Sequence, residues 1–258
     1  IEGGADSLLI NATTGEAPTI FYPSKIELFR AIIDEVAGRV PVIAYSGDNC
    51  TADSVDFSRQ VEELGVDGLL LVVPYYNKPP QEGMYQHFKA IAEAVDLPCL
   101  LYNIPGRCGV NMTAETTLRL AHDVPNIVGI KEASGDLEQV KAIIDGAPEG
   151  FVVYSGDDSS TLDIMELGGV GVVSTIGNVC PARMKEIIDL FVAGKVEEAH
   201  AANDRLLPLM EGLFATTNPI LPKEALKLLG FPVGGVRLPL VDATAEQSAQ
   251  LEKVMREV

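Results

Sequence analysis

The sequence predicts a parallel α/β fold and, among the parallel architectures, a (β/α)₈ barrel with extra helices at its C-terminal end. Three observations carry this. Short apolar runs rich in Val, Ile and Leu recur at residues 7–10, 40–44, 68–73, 99–103, 127–131, 151–155 and 171–175. They do not alternate apolar with polar, so they read as strands buried on both faces, as in a parallel sheet covered by helices. Between them lie stretches with helical spacing, which give the rhythm of βα units at roughly 25–30 residues each.

Taken in order, the first run leads into Thr13-Thr14-Gly15-Glu16. A helix follows over 26–36, where Ile26, Leu28, Phe29, Ile32, Ile33 and Val36 mark one face and Ser24 with Glu27 forms a capping box. Amphipathic stretches at 52–64, 84–94, 114–122, 137–144, 160–167 and 183–192 follow the next six runs. Beyond them the pattern is helical, at 195–213, 222–229 and 245–258. The run ends carry polar or special residues: Ser46-Gly47, Pro74-Tyr75-Tyr76-Asn77, Tyr102-Asn103, Lys131-Glu132, Gly156-Asp157-Asp158, and Ser174 to Asn178. In a barrel all strand ends meet on one face, whereas an open doubly wound sheet brings together only those at its switch point. So many chemically equipped ends favour the barrel, although seven runs are one short of its eight strands.

Composition narrows the function. The 258 residues are 47% hydrophobic and 22% charged, which is globular and long enough for one large α/β domain. A net charge of −18 offers no basic patch to replace phosphate counterions, so nucleic-acid binding is excluded, and an acidic surface repels anionic lipid. The four cysteines form no CxxC pair, and a reducing cytoplasmic compartment is the simplest inference. No apolar run is long enough to span a bilayer. His87, His122 and His200 all fall in helical stretches, which argues against a zinc site or a histidine-based triad. Asp157-Asp158 has no partner at ligand spacing and reads as a helix cap.

Lys131 is the most informative residue. It closes the apolar run Ile127-Val128-Gly129-Ile130. Desolvation there disfavours the ammonium, and a neutral amine attacks carbonyl carbon to form an imine. A strand-end lysine can also snorkel to solvent, a reading that fits Lys25, Lys89 and Lys227 better, since these lie on polar helix faces. Tyr102 ends another run, and a phenol beside an imine can move protons. The hydroxyls and loop amides of Thr13-Thr14-Gly15-Glu16 suit a carboxylate. Arg107, in Ile104-Pro105-Gly106-Arg107, can grip a carboxylate through paired hydrogen bonds.

In order along the chain, TTGE at 13–16, PYYNKPPQEGMYQHF at 74–88, LYNIPGR at 101–107, GIKEASG at 129–135 and SGDDS at 155–159 resemble the dihydrodipicolinate synthase family, within the N-acetylneuraminate lyase superfamily. The resemblance runs from Ile1 to the last helix. It implies a (β/α)₈ barrel over 1–180 that lacks its first strand and most of its first helix here. Residues 181–258 then hold the last barrel helix and a helical extension. It implies a Schiff base between Lys131 and pyruvate, with no cofactor or metal, and condensation with aspartate β-semialdehyde for lysine (diaminopimelate) biosynthesis. Tyr102, Thr13 and Tyr76 match the proton relay, Tyr76 being supplied by a neighbouring subunit of a homotetramer built from dimers. Thr14, Gly156 and the Val173 backbone match substrate-binding positions, and Arg107 matches the arginine that holds the second substrate's carboxylate. Sialic-acid lyases generally lack that arginine, so it selects the synthase over a pyruvate aldolase or dehydratase acting on a sugar acid. Ala12 stands where a glycine usually precedes the threonines. Asn49 and Tyr75 fit the family's lysine-feedback site, but Tyr22 and Lys25 replace frequent histidines. The cation at Lys25 implies weak or no inhibition by L-lysine.

Overall fold

A computed structural model describes residues 1–257 and divides them into two compact units. The larger unit comprises residues 7–10 and 21–173. Its strands are β1 (Leu8–Ile10), β2 (Val42–Tyr45), β3 (Gly68–Val72), β4 (Cys99–Asn103), β5 (Ile127–Glu132), β6 (Val152–Ser155) and β7 (Gly171–Val172). All pair in parallel, in the order β1 to β7. That order has no switch point, so every crossover turns the same way and the sheet curls as a barrel wall does. The doubly wound alternative is thereby set aside.

The apolar runs form strands because they are buried on both faces. Leu69, Leu70 and Leu71 are successive residues of β3, point alternately to opposite faces, and are all fully buried. The helices are α1 (Tyr22–Val36), α2 (Thr51–Glu62), α3 (Gln81–Ala92), α4 (Pro105–Cys108), α5 (Ala114–Asp123), α6 (Leu137–Gly146) and α7 (Thr161–Glu166). Each longer helix packs on the next, α1 on α2, α2 on α3, α3 on α5, α5 on α6 and α6 on α7, and so they line one face of the sheet in series. Thr113 caps α5 through Thr116 N–H, and Asp136 caps α6 through the N–H groups of Glu138 and Gln139.

Two local expectations are corrected. The capping box at Ser24 and Glu27 does not start α1, which begins at Tyr22 with no side-chain cap and a proline in its first turn. Proline fits there because its missing N–H has no partner to lose. Lys25 does not lie on a polar face. It is 7% exposed, with its ammonium 5.0 Å from the Tyr22 ring centre and 5.7 Å from that of Phe57.

The smaller unit comprises residues 1–6, 11–20 and 174–258. It holds α8 (Pro181–Val192), α9 (Val196–Leu213), α10 (Ile220–Leu228) and α11 (Ala245–Glu257). The long α9 packs against α8, α10 and α11, and Leu206, Leu209, Met210, Leu213, Ala225 and Leu251 are buried. Val258, the end of the last helix expected from the sequence, lies outside the described residues. Among the described residues, no helix is long and apolar enough to cross a membrane.

Candidate active site

In the larger unit the chemistry gathers at the C-terminal ends of β4, β5 and β6. Lys131 is the penultimate residue of β5, and register places it beside Tyr102 of β4 and Tyr154 of β6. It is 8% exposed, and its ammonium lies 4.3 Å from the centre of the Tyr102 ring. Burial pulls its pKa down from 10.5 to about 8; the charge of Asp158 opposes this shift and that of Arg107 assists it. At pH 7 a group with that pKa is about one-tenth neutral, against about one part in three thousand for an ordinary lysine. A fraction of the buried amine is therefore neutral at pH 7.

The neighbouring strand makes room for this side chain. Gly156 follows β6, and its N–H donates to the Glu132 carbonyl at 2.7 Å. A Cβ on Gly156 would lie 2.6 Å from that of Ala133 and 3.2 Å from Lys131 Cε, so a side chain there would force Ala133 to shift and would crowd the lysine. After it, Asp157 accepts from Ser159 N–H at 3.0 Å and from Ser159 Oγ at 2.8 Å, the cap expected from the sequence. That turn carries Asp158, which is buried. Val173 follows β7, and its N–H donates to the Ser155 carbonyl at 2.9 Å.

Tyr102 is 3% exposed, so its hydroxyl does not stand in open water. Arg107 sits on α4, exposed, and Gly109 closes that short helix with φ 74. Cys108, beside it, donates to the Val73 carbonyl at 3.2 Å and anchors the turn to the end of β3. Tyr76 stands apart from the buried group. It is 89% exposed on the loop after β3, with φ 71, a left-handed backbone that is uncommon for a bulky residue and recurs at functional sites.

Thr13 and Thr14 belong to the smaller unit. Their turn closes with Glu16 N–H donating to the Thr13 carbonyl at 3.0 Å. Asn218 Nδ2 donates to Thr14 Oγ1 at 3.0 Å. Glu16 fixes the far end of the turn, accepting from Lys223 Nζ at 2.9 Å and from Arg237 N–H at 2.6 Å. Burial raises the Glu16 pKa, but these two donors outweigh it and hold the carboxyl below its ordinary value.

The sequence did not single out Asp158 as the charge facing Lys131, nor Tyr154 as its strand neighbour. The period of two along β6 gives only the face on which Tyr154 stands; its place beside Lys131 comes from the register of the folded sheet. Among the described residues, no group of three or more His, Cys, Asp and Glu side chains is arranged to hold a metal.

A buried strand-end amine with a lowered pKa, beside a phenol on a curled parallel sheet, defines a class of α/β proteins equipped for amine–carbonyl chemistry. Within that class, the chain belongs to the dihydrodipicolinate synthetase family, whose model matches residues 1–258. A relative from Symbiobacterium thermophilum, named 4-hydroxy-tetrahydrodipicolinate synthase, is 56% identical over 257 residues, spanning 100% of this chain and 87% of the relative. A Bacillus subtilis protein of the same name is 50% identical, over 100% of this chain and 89% of its own. The solved structure of the Cyanidioschyzon merolae dihydrodipicolinate synthase, described as having lysine bound, superposes with a TM-score of 0.97 at 48% identity, covering 99% of this chain and 87% of that one.

Proposed function

We propose that this chain is a lyase of the 4-hydroxy-tetrahydrodipicolinate synthase type, condensing pyruvate with L-aspartate β-semialdehyde in lysine (diaminopimelate) biosynthesis. The observation that carries the reading is Lys131, buried, with its pKa lowered to about 8. Its neutral amine adds to the pyruvate ketone, and loss of water leaves an imine on Nζ. The imine acidifies the pyruvate methyl group, because the resulting enamine stores the electron pair on nitrogen. The enamine carbon then attacks the aldehyde carbon of the second substrate, whose oxygen takes up a proton, and the amine of that substrate replaces Lys131 Nζ on the imine carbon, which closes the ring and frees the lysine. Tyr102, Thr13 and Tyr76 carry the protons, while Thr14, Gly156 and the Val173 backbone seat pyruvate. The protonated imine is the electron sink, so the reaction calls on no cofactor.

Three further parts belong to the same proposal. The barrel is eight-stranded, a reading supported by β1 and β7, each of which offers an outer edge that one more parallel strand would satisfy. The protein works as a homotetramer of dimers in the cytoplasm; the exposed Tyr76 loop supports a subunit contact. L-lysine inhibits it weakly or not at all. Asp48 already accepts from Tyr22 Oη at 2.8 Å and Tyr75 Oη at 3.1 Å, and Lys25 Nζ lies 5.0 Å from the Tyr22 ring centre, its pKa lowered by burial against the opposing charge of Asp48. A lysine ligand of the kind described for the Cyanidioschyzon protein would meet the like charge of Lys25. Turnover is expected to stay close to control as L-lysine is added through the sub-millimolar range; strong sub-millimolar inhibition would refute this.

The direct test is pyruvate consumption on adding aspartate β-semialdehyde, run beside Arg107→Ala. The wild type turns over. The variant still traps pyruvate on Lys131 with borohydride, but its condensation rate falls about a hundredfold, because an unheld aldehyde loses its attack geometry. Loss of trapping and condensation together would show that Arg107 serves the first substrate instead.

A further inference from the structure

The reaction above makes no use of Glu132, yet its carboxylate is 1% exposed and surrounded by donors. Asn103 Nδ2 lies 3.2 Å from one oxygen and 3.1 Å from the other. Ser134 N–H donates at 2.7 Å and Gln139 Nε2 at 3.1 Å. Every contact requires the side chain to accept, which a carboxylate does and an amide cannot do on both sides.

Register gives this cluster its meaning. Tyr102 of β4 pairs with Lys131 of β5, and one step further Asn103 pairs with Glu132. Side chains alternate across a strand, so the phenol and the amine share one face while the amide and the carboxylate share the other. The Asn103–Glu132 contact therefore sits directly behind the 4.3 Å contact between Lys131 and the Tyr102 ring. The same cluster reaches the segment that carries Arg107. Asn103 Oδ1 accepts from Met112 N–H at 3.1 Å, and Asn103 Nδ2 donates to Asn111 Oδ1 at 2.7 Å. Gln139 Oε1 accepts from Asn111 Nδ2 at 2.8 Å, and Gln139 Nε2 lies 3.2 Å from the Met112 carbonyl.

We infer that Glu132 is a positioning residue, whose buried carboxylate locks β4 to β5 and to the loop after α4, and so fixes Tyr102, Lys131 and Arg107 relative to one another. The inference rests on the reaction proposed above. Its action is geometric: Glu132 touches no reacting atom. Buried networks of this kind tolerate loss of a charge poorly, because a donor is left facing a donor.

The test is Glu132→Gln in the full chain, with melting temperature, borohydride trapping and the kinetics of both substrates as readouts. The expected result is a folded protein that still traps pyruvate, with kcat down ten- to a hundredfold and KM for the aldehyde raised several-fold. Should Glu132→Gln not fold, Gln139→Met removes one donor from the partly exposed side and is expected to lower kcat three- to tenfold without moving the melting temperature. Wild-type kcat in a folded Glu132→Gln or Gln139→Met overturns the inference. Wild-type turnover with aspartate β-semialdehyde is measured first. If that fails, the reaction reading is at fault, and Glu132 is judged on the rate of pyruvate imine formation alone.

Discussion

Lys131→Met is expected to abolish turnover and borohydride trapping, lowering kcat at least a thousandfold, while making the folded chain more stable at pH 7. The two effects share one cause. Burial lowers the Lys131 pKa from 10.5 to about 8, so the fold binds this proton more weakly than the unfolded chain does. At about 1.4 kcal/mol per pKa unit, the difference costs the native state about 3 kcal/mol wherever the ammonium is the ordinary form. That cost is complete below pH 8. Between pH 8 and 10.5 the unfolded state holds more proton than the native state, so wild-type stability rises with pH across this window. Above it the cost is gone. Methionine keeps the length and apolar stem without the charge, and its advantage is expected to shrink from pH 7 to pH 10. Urea denaturation at pH 7, 8.5 and 10 tests this. A variant less stable than wild type at pH 7, or one whose advantage does not change with pH, refutes the account. In the wild type, the rate of imine formation is expected to rise with pH and level off near 8.

Much of this was legible because the determining forces are local. The β5 run is apolar up to Lys131 because its flanks are covered, and a run that ends in lysine announces a buried amine. Tyr102 and the Thr13-Thr14 turn stand out for the same reason, at the boundary between an apolar run and a loop. What sequence does not carry is who faces whom. Helical spacing placed Lys25 on a polar face, but Tyr22 and Phe57 bring their rings over it from α1 and α2. Ser24 and Glu27 have the spacing of a cap, yet the chain already turns into α1 at Tyr22-Pro23. Glu16 reaches Lys223 across more than two hundred residues, and Asn103 meets Glu132 only through strand register. Neither pairing leaves a local pattern.

Tyr102→Phe separates the two things this residue does. The ring packs on the Lys131 ammonium at 4.3 Å, and the hydroxyl, in the proposed mechanism, moves protons. Phenylalanine keeps the ring, so desolvation of Lys131 and most of the cation–π attraction persist. Pyruvate should still be trapped at saturation, with KM for pyruvate within a few-fold of wild type. Loss of the hydroxyl is expected to lower kcat by about 10²–10³-fold, the usual worth of a positioned acid–base group. Tyr102→Leu loses the ring as well. It opens the amine to water, and the pH at which imine formation levels off should then move up from about 8 toward the ordinary lysine value of 10.5. The comparison is decisive because the two substitutions share the missing hydroxyl and differ in what covers the amine. If Phe and Leu shift the pH profile alike, the ring does not shield Lys131. If Phe turns over at the wild-type rate, the protons travel by another group, and Tyr102 serves only as the wall of the site.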